Sequence, residues 1–182
     1  MKKNLLILLI FSLGIGCGNA DSKTLAHSEN KAGSDAVTEK SPCELLPEAD
    51  LKEYFSLPND AIAKKKDVLR TYPTCFYEWE NILVSKTSVI VGKEYTIDYP
   101  SEISLVLVAN ANQKMFETST AVYKDGETVE GLGDNAMWGV KMLQLTFLAK
   151  GYMIHLHVSM SADQNENKEN AIVLAGKIID RL

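Results

Sequence analysis

Hydrophobic and polar residues change rhythm several times along this chain of 182 residues. Leu5 to Ile15 is an apolar run that follows Lys2 and Lys3 and ends at Gly16-Cys17. Residues 18–41 hold no aromatic residue, and their only large aliphatics are Leu25 and Val37. Ser41-Pro42-Cys43-Glu44 then has capping-box spacing with Pro at the first helical position. Ala49, Tyr54, Phe55 and Leu57 give residues 47–56 an apolar helical side, closed by Pro58-Asn59-Asp60. Residues 59–72 fit no single period, and Lys64-Lys65-Lys66 reads as a solvated turn or strand edge, with a binding patch as the alternative.

From Cys75 the period becomes two. Cys75, Tyr77 and Trp79 alternate with Phe76, Glu78 and Glu80, as in a half-buried strand with an acidic outer face. Ser88–Val91 extends the sheet, Gly92 to Pro100 reads as a loop or hairpin excursion, and Ile103–Val108 is a strand. Residues 112–123 read as a helix, with Met115, Phe116, Ser119 and Val122 at helical spacing. Lys150-Gly151 is a two-residue turn, and centring a hairpin there pairs Phe147 with Ile154, Leu145 with Leu156 and Leu143 with Val158. The other face of that hairpin pairs Thr146 with His155 and Gln144 with His157. A slip of one residue would destroy the agreement. Ser161 to Asn170 reads as a loop. A final helix of about 15 residues follows, capped by Asn170 or Asn167, with Ala171, Leu174, Ala175, Ile178, Ile179 and Leu182 in one stripe. The fold class expected is α+β: one mainly antiparallel sheet with helices packed on one face.

The N-terminal pattern divides the chain. A basic start, an apolar stretch and a small residue before a cysteine resemble the lipobox of bacterial lipoproteins, although Gly14 stands where Leu is usual. Residues 1–16 are therefore expected to be a lipoprotein signal peptide, and Cys17 the lipidated residue. The apolar run is about a dozen residues, short of the roughly 20 that a spanning helix needs. Residues 17–41 are the lipidated N-terminus and a disordered tether of roughly 27 Å mean span. Residues 42–182 are one globular domain, long enough for its own core. Gly18 after Cys17, in place of an Asp retention signal, favours the outer membrane or periplasmic face in a Gram-negative cell.

Cleavage would remove Lys2 and Lys3, leaving 17 basic against 24 acidic residues, a net of −7. That balance argues against nucleic acid and against an anionic membrane surface. With Cys17 lipidated, Cys43 and Cys75 remain as a pair in an oxidising compartment, and a disulfide is expected.

Candidate chemistry is sparse. Gly131-Leu132-Gly133-Asp134 reads as a tight turn that delivers Ala136 and Trp138 to the core, with an anion nest as the functional alternative. Glu78, Glu80 and Asp134 are carboxylates without a motif around them, and no GxSxG or HExxH occurs. No catalytic residue and no cofactor is expected.

The order of these motifs carries a resemblance. Cys43 beside Leu45-Leu46-Pro47, the strand with Cys75, Tyr77 and Trp79, then Gly131 to Ala136, a hydrophobic hairpin and an amphipathic C-terminal helix resemble the small secreted lipoprotein domains of the DUF3558 type. The resemblance covers roughly residues 42–182. It implies a lipid-anchored domain and brings no catalytic residues.

The leading expectation is a non-enzymatic domain held to the membrane by lipid that binds an envelope protein, a lipid or another apolar ligand. Its candidate ligand face is Gln144, Thr146, His155 and His157. The alternative is envelope metal binding by Met153, His155 and His157, since Met-x-His-x-His places three ligands on one strand face. A third reading is a hydrolase built on the scattered carboxylates.

Overall fold

A computed structural model describes residues 41–182. The lipobox, Cys17 and nearly all of the tether lie outside the described residues. No helix among the described residues is long and apolar enough to cross a membrane.

Two short helices open the domain, α1 (Pro42–Leu45) and α2 (Glu48–Tyr54). The reciprocal capping box on α1 is formed: the Ser41 backbone N–H donates to the Glu44 carboxylate over 2.7 Å. Next come β1 (Lys64–Leu69), β2 (Pro73–Ile90), β3 (Lys93–Val108), α3 (Gln113–Thr120), β4 (Gly126–Thr128) and β5 (Asn135–Gly139). A single 3-10 turn (Val140–Met142) leads into β6 (Gln144–Ala149), β7 (Tyr152–Ser159) and α4 (Gln164–Arg181). The strands form one seven-stranded sheet in the order β1-β2-β3-β7-β6-β5-β4, every neighbouring pair antiparallel. The α+β class and the single antiparallel sheet are as expected.

The inner face carries the core. Tyr77, Trp79, Leu105, Phe147, Ile154 and Leu156 are all buried. The α4 stripe of Ala171, Leu174, Ala175 and Ile178 packs on them, beside Leu45, Leu46 and Leu51 of the N-terminal helices. Arg181 ties α4 to the two N-terminal helices of the described domain, donating to the Leu45 carbonyl over 2.9 Å and pairing with Asp50. Cys43 and Cys75 are bridged, and the bond ties α1 to β2 beneath the sheet. One short helix, α3, departs from the inner layer. Its Phe116 joins Val108, Leu148 and Met153 in a second apolar cluster formed by outward-facing strand residues.

The β6–β7 hairpin has the register read from its pattern, with Phe147 opposite Ile154, Leu145 opposite Leu156, Thr146 opposite His155 and Gln144 opposite His157. Leu143 sits just off the strand, but its carbonyl still accepts from Val158 N–H over 3.0 Å. Lys150 and Gly151 both take positive φ, 50° and 79°, the geometry of a tight hairpin turn.

Three boundaries differ from expectation. Residues 64–69, ambiguous in sequence, form the edge strand β1, where Lys64, Lys65 and Lys66 are exposed. Lysines on an edge discourage further strand pairing. Of the loop or hairpin excursion expected after Gly92, the structure has the hairpin, with residues 93–100 in strand throughout. Their Thr, Ile and Tyr residues favour pleated backbone, and β2 pairs with them along one edge. Helix α4 begins at Gln164, not near Ala171, and its cap is Asp163, whose carboxylate accepts from Asn165 N–H over 2.8 Å. The polar residues 164–170 are helical because a capped first turn needs no apolar stripe. Asn167, an expected cap, is instead a buried staple. Its Oδ1 accepts from the N–H groups of Met160 and Ser161, and its Nδ2 donates to the Ser161 carbonyl.

Candidate functional site

The outer sheet face is built in rows, because paired strand residues point the same way. One row runs Lys66, Phe76, Ser104, His157, Gln144 across β1, β2, β3, β7 and β6. The next runs Val68, Thr74, Val106, His155, Thr146. The four residues of the expected ligand face therefore do come together.

Their centre, however, is filled by the protein itself. Tyr123, just beyond α3, lays its hydroxyl 2.6 Å from Thr146 Oγ1 and accepts from Gln144 Nε2 over 2.5 Å. Thr146 is fully buried as a result. Thr146 Oγ1 also lies 2.8 Å from His155 Nδ1. Burial pushes the His155 imidazole below its usual titration range, so it is neutral at pH 7. His157 is bound at both ends: Nδ1 donates to the Met142 carbonyl over 2.9 Å, and Nε2 meets the Glu102 carboxylate at 2.9 Å. Met153 is buried in the cluster under α3. The three side chains of the metal reading are thus each engaged elsewhere. Among the described residues no group of three or more His, Cys, Asp or Glu is placed to hold an ion.

What stays open lies toward the β1 edge. A cleft of about 470 Å³ is lined by Val68, Tyr72, Phe76, Ser104 and Val106, with Lys66 and Arg70 among its walls. A second hollow of about 340 Å³ shares Tyr72 and continues over Met153 and His155 to Met115 and Lys114 on α3. The β1–β2 turn supplies Arg70 and Tyr72. It is held by Arg70 N–H on the Tyr72 carbonyl and by Thr74 Oγ1 donating to the same oxygen over 3.0 Å. Lys66 Nζ lies 5.6 Å from the Phe76 ring centroid, a cation–π contact that tilts this lysine over the floor.

The lining is apolar below and basic at the edge. Lys66, Arg70 and Lys114 are exposed, and among the described residues no carboxylate lines either hollow. The negative net charge of the chain is therefore reversed locally. Sequence reasoning missed Phe76 and Val106 as site residues. Their signal was present: both are apolar at positions where a solvated outer face would be polar. Tyr72 and Lys114 carried no such signal.

The Gly131–Asp134 stretch is a turn, as expected. Gly131 and Gly133 take φ of 75° and 59°, and Ala136 and Trp138 are buried. Asp134 N–H donates to the Leu148 carbonyl over 2.7 Å. Glu80 is exposed and pairs with Lys64.

No family model, curated protein or solved structure matches the chain, so no ligand or residue role is carried over from a relative.

Proposed function

We propose that this protein is a lipid-anchored, non-enzymatic binding domain of the cell envelope whose ligand is an apolar molecule bearing a negative charge. The cleft carries this reading. Val68, Phe76 and Val106 form an apolar floor, and Lys66, Arg70 and Lys114 bring positive charge to an otherwise acidic chain. Ligand sites are commonly concave and apolar with a few placed polar groups, and about 300–1,000 Å³ in size. The anchor part of the reading rests on Gly16-Cys17 and the polar segment after it.

Calorimetric titration of the full chain tests the cleft. The probes are a fatty acid below its micelle concentration, the alcohol of the same chain length, and the matching alkylammonium. The fatty acid is expected to bind at least about tenfold more tightly than either, a difference of about 1.4 kcal/mol. Lys66→Glu with Arg70→Glu is expected to abolish that preference. Equal binding of the three probes, or binding of none, rejects the cleft. Mass spectrometry of the mature N-terminus tests the anchor: an unmodified peptide that does not begin at Cys17 rejects it.

A further inference from the structure

Beyond the main sheet, β2 and β3 continue alone as a two-stranded ribbon. Pairing shifts register between Trp79 and Leu83, and Pro100 sits at that irregularity. From there Leu83 to Ile90 pairs with Lys93 to Pro100 and, among the described residues, with no other strand. Eight paired residues project about 26 Å. A bare ribbon this long is marginal in water unless something else holds it.

Its two faces differ. On one, Ser85 Oγ donates to Asp98 over 2.6 Å, and Thr87 and Thr96 hydroxyls meet at 2.9 Å. On the other stand Ile90, Tyr95, Ile97 and Tyr99, with Lys86 and Lys93 the charged groups between them. At the apex three aliphatic residues are consecutive: Val89 is 67 %, Ile90 54 % and Val91 97 % exposed. Val91 also holds φ of 51°. A β-branched residue is disfavoured in the left-handed region, and hairpin apices usually place Asn, Asp or Gly there. A polar residue would suit both the backbone and the solvent better. The sequence places valine there.

We infer that the Val89–Val91 apex of this ribbon is a second membrane contact, inserting its aliphatic tip into the interfacial layer of the lipid that carries the anchor. The inference rests on the anchored reading only for the nearness of that membrane: 24 residues separate Cys17 from the domain. Three side chains at a tip cannot supply the roughly 800 Å² per partner of a stable protein interface, whereas lipid insertion sets no such minimum. Tyrosines behind the tip suit the headgroup level, where an aromatic ring is half apolar and half wet. Lys93 opposite Ile90 and Glu94 opposite Val89 flank the apex with opposite charges, so the contact is apolar rather than electrostatic and needs no anionic lipid.

An Ile90→Trp variant of the full chain, in phosphatidylcholine vesicles with brominated acyl chains, tests this. Trp79 and Trp138 are buried and give the background. The added tryptophan is expected to shift to the blue and to lose several-fold of its emission, in the anchored chain and, at higher lipid concentration, in a Cys17→Ser chain. Val91→Asp placed beside it is expected to restore water-like emission with an unchanged melting temperature. Unquenched, water-like emission in the anchored chain overturns the inference. So does a Cys17→Ser chain that sediments as a dimer and becomes a monomer with Val91→Asp. If Cys17 carries no lipid but the tip tryptophan is still quenched, the anchor reading fails and this inference stands.

Discussion

The Tyr77 hydroxyl donates to the Leu46 carbonyl oxygen over 2.9 Å, inside the core. This bond joins the end of α1 to the first third of β2, and it satisfies the helix-end carbonyl of a fully buried residue. Burial, with the acids Glu48, Asp67 and Asp50 adding to it, pushes the Tyr77 pKa up to about 12. Tyr77→Phe leaves the carbonyl unpaired and is expected to cost about 1–3 kcal/mol at pH 7. Below the ordinary tyrosine pKa of about 10, both folded and unfolded chains keep the proton. As pH rises from there toward 12, the unfolded state ionises first and stability falls. Urea unfolding at pH 8 and pH 11 checks both points: the penalty of the phenylalanine variant is expected to shrink at the higher pH.

His155 should give the opposite dependence. Burial lowers its folded pKa, so the unfolded chain takes up the proton first as pH falls. Its contribution is complete above the ordinary value of about 6.5 and is lost below it. Urea midpoints from pH 8 to pH 5 should fall for the parent chain and fall less for His155→Gln. Equal slopes would show that the imidazole is not desolvated.

Gly133 and Gly131 both hold positive φ, but their surroundings differ. A Cβ on Gly133 would clash with the Leu148 carbonyl oxygen, whereas one on Gly131 meets nothing within 4 Å. Gly131→Ala is expected to cost about 1–2 kcal/mol, from the left-handed backbone alone. Gly133→Ala should cost clearly more, because the contact is with backbone that pairs in the sheet. Thermal melts of the two variants decide between backbone strain and close approach as the reason for glycine.

The Cys43–Cys75 bridge spans a sequence separation of 32 residues. Its loss is expected to remove about 3–4 kcal/mol, mainly by freeing the unfolded chain. The double variant Cys43→Ala, Cys75→Ala should therefore unfold at lower urea, with an unchanged far-ultraviolet spectrum before the transition.

Much of the architecture was legible in the residues. Alternation fixes which side of a strand is apolar, and it fixed the hairpin register because only one pairing buried all six large side chains. The even cysteine pair and the stripe on α4 were equally readable. The start of α4 was not, since residues 164–170 have no apolar stripe and are helical through Asp163 and Asn167. The ribbon strand after Gly92 was obscured for a similar reason: its register is held by polar cross-strand pairs, and no core lies beneath it.

The sequence by itself determined the inner face of the sheet and the turns at Lys150-Gly151 and Gly131–Gly133. Those depend on local geometry and on a period that repeats along the chain. Only the tertiary structure decided which part of the outer face stays open. Tyr123 closes the patch over Thr146, while Tyr72 and Lys114, 42 positions apart, meet across one hollow. A strand's alternation tells which way a side chain points. What then covers it depends on segments remote in sequence, and no local pattern records their arrival.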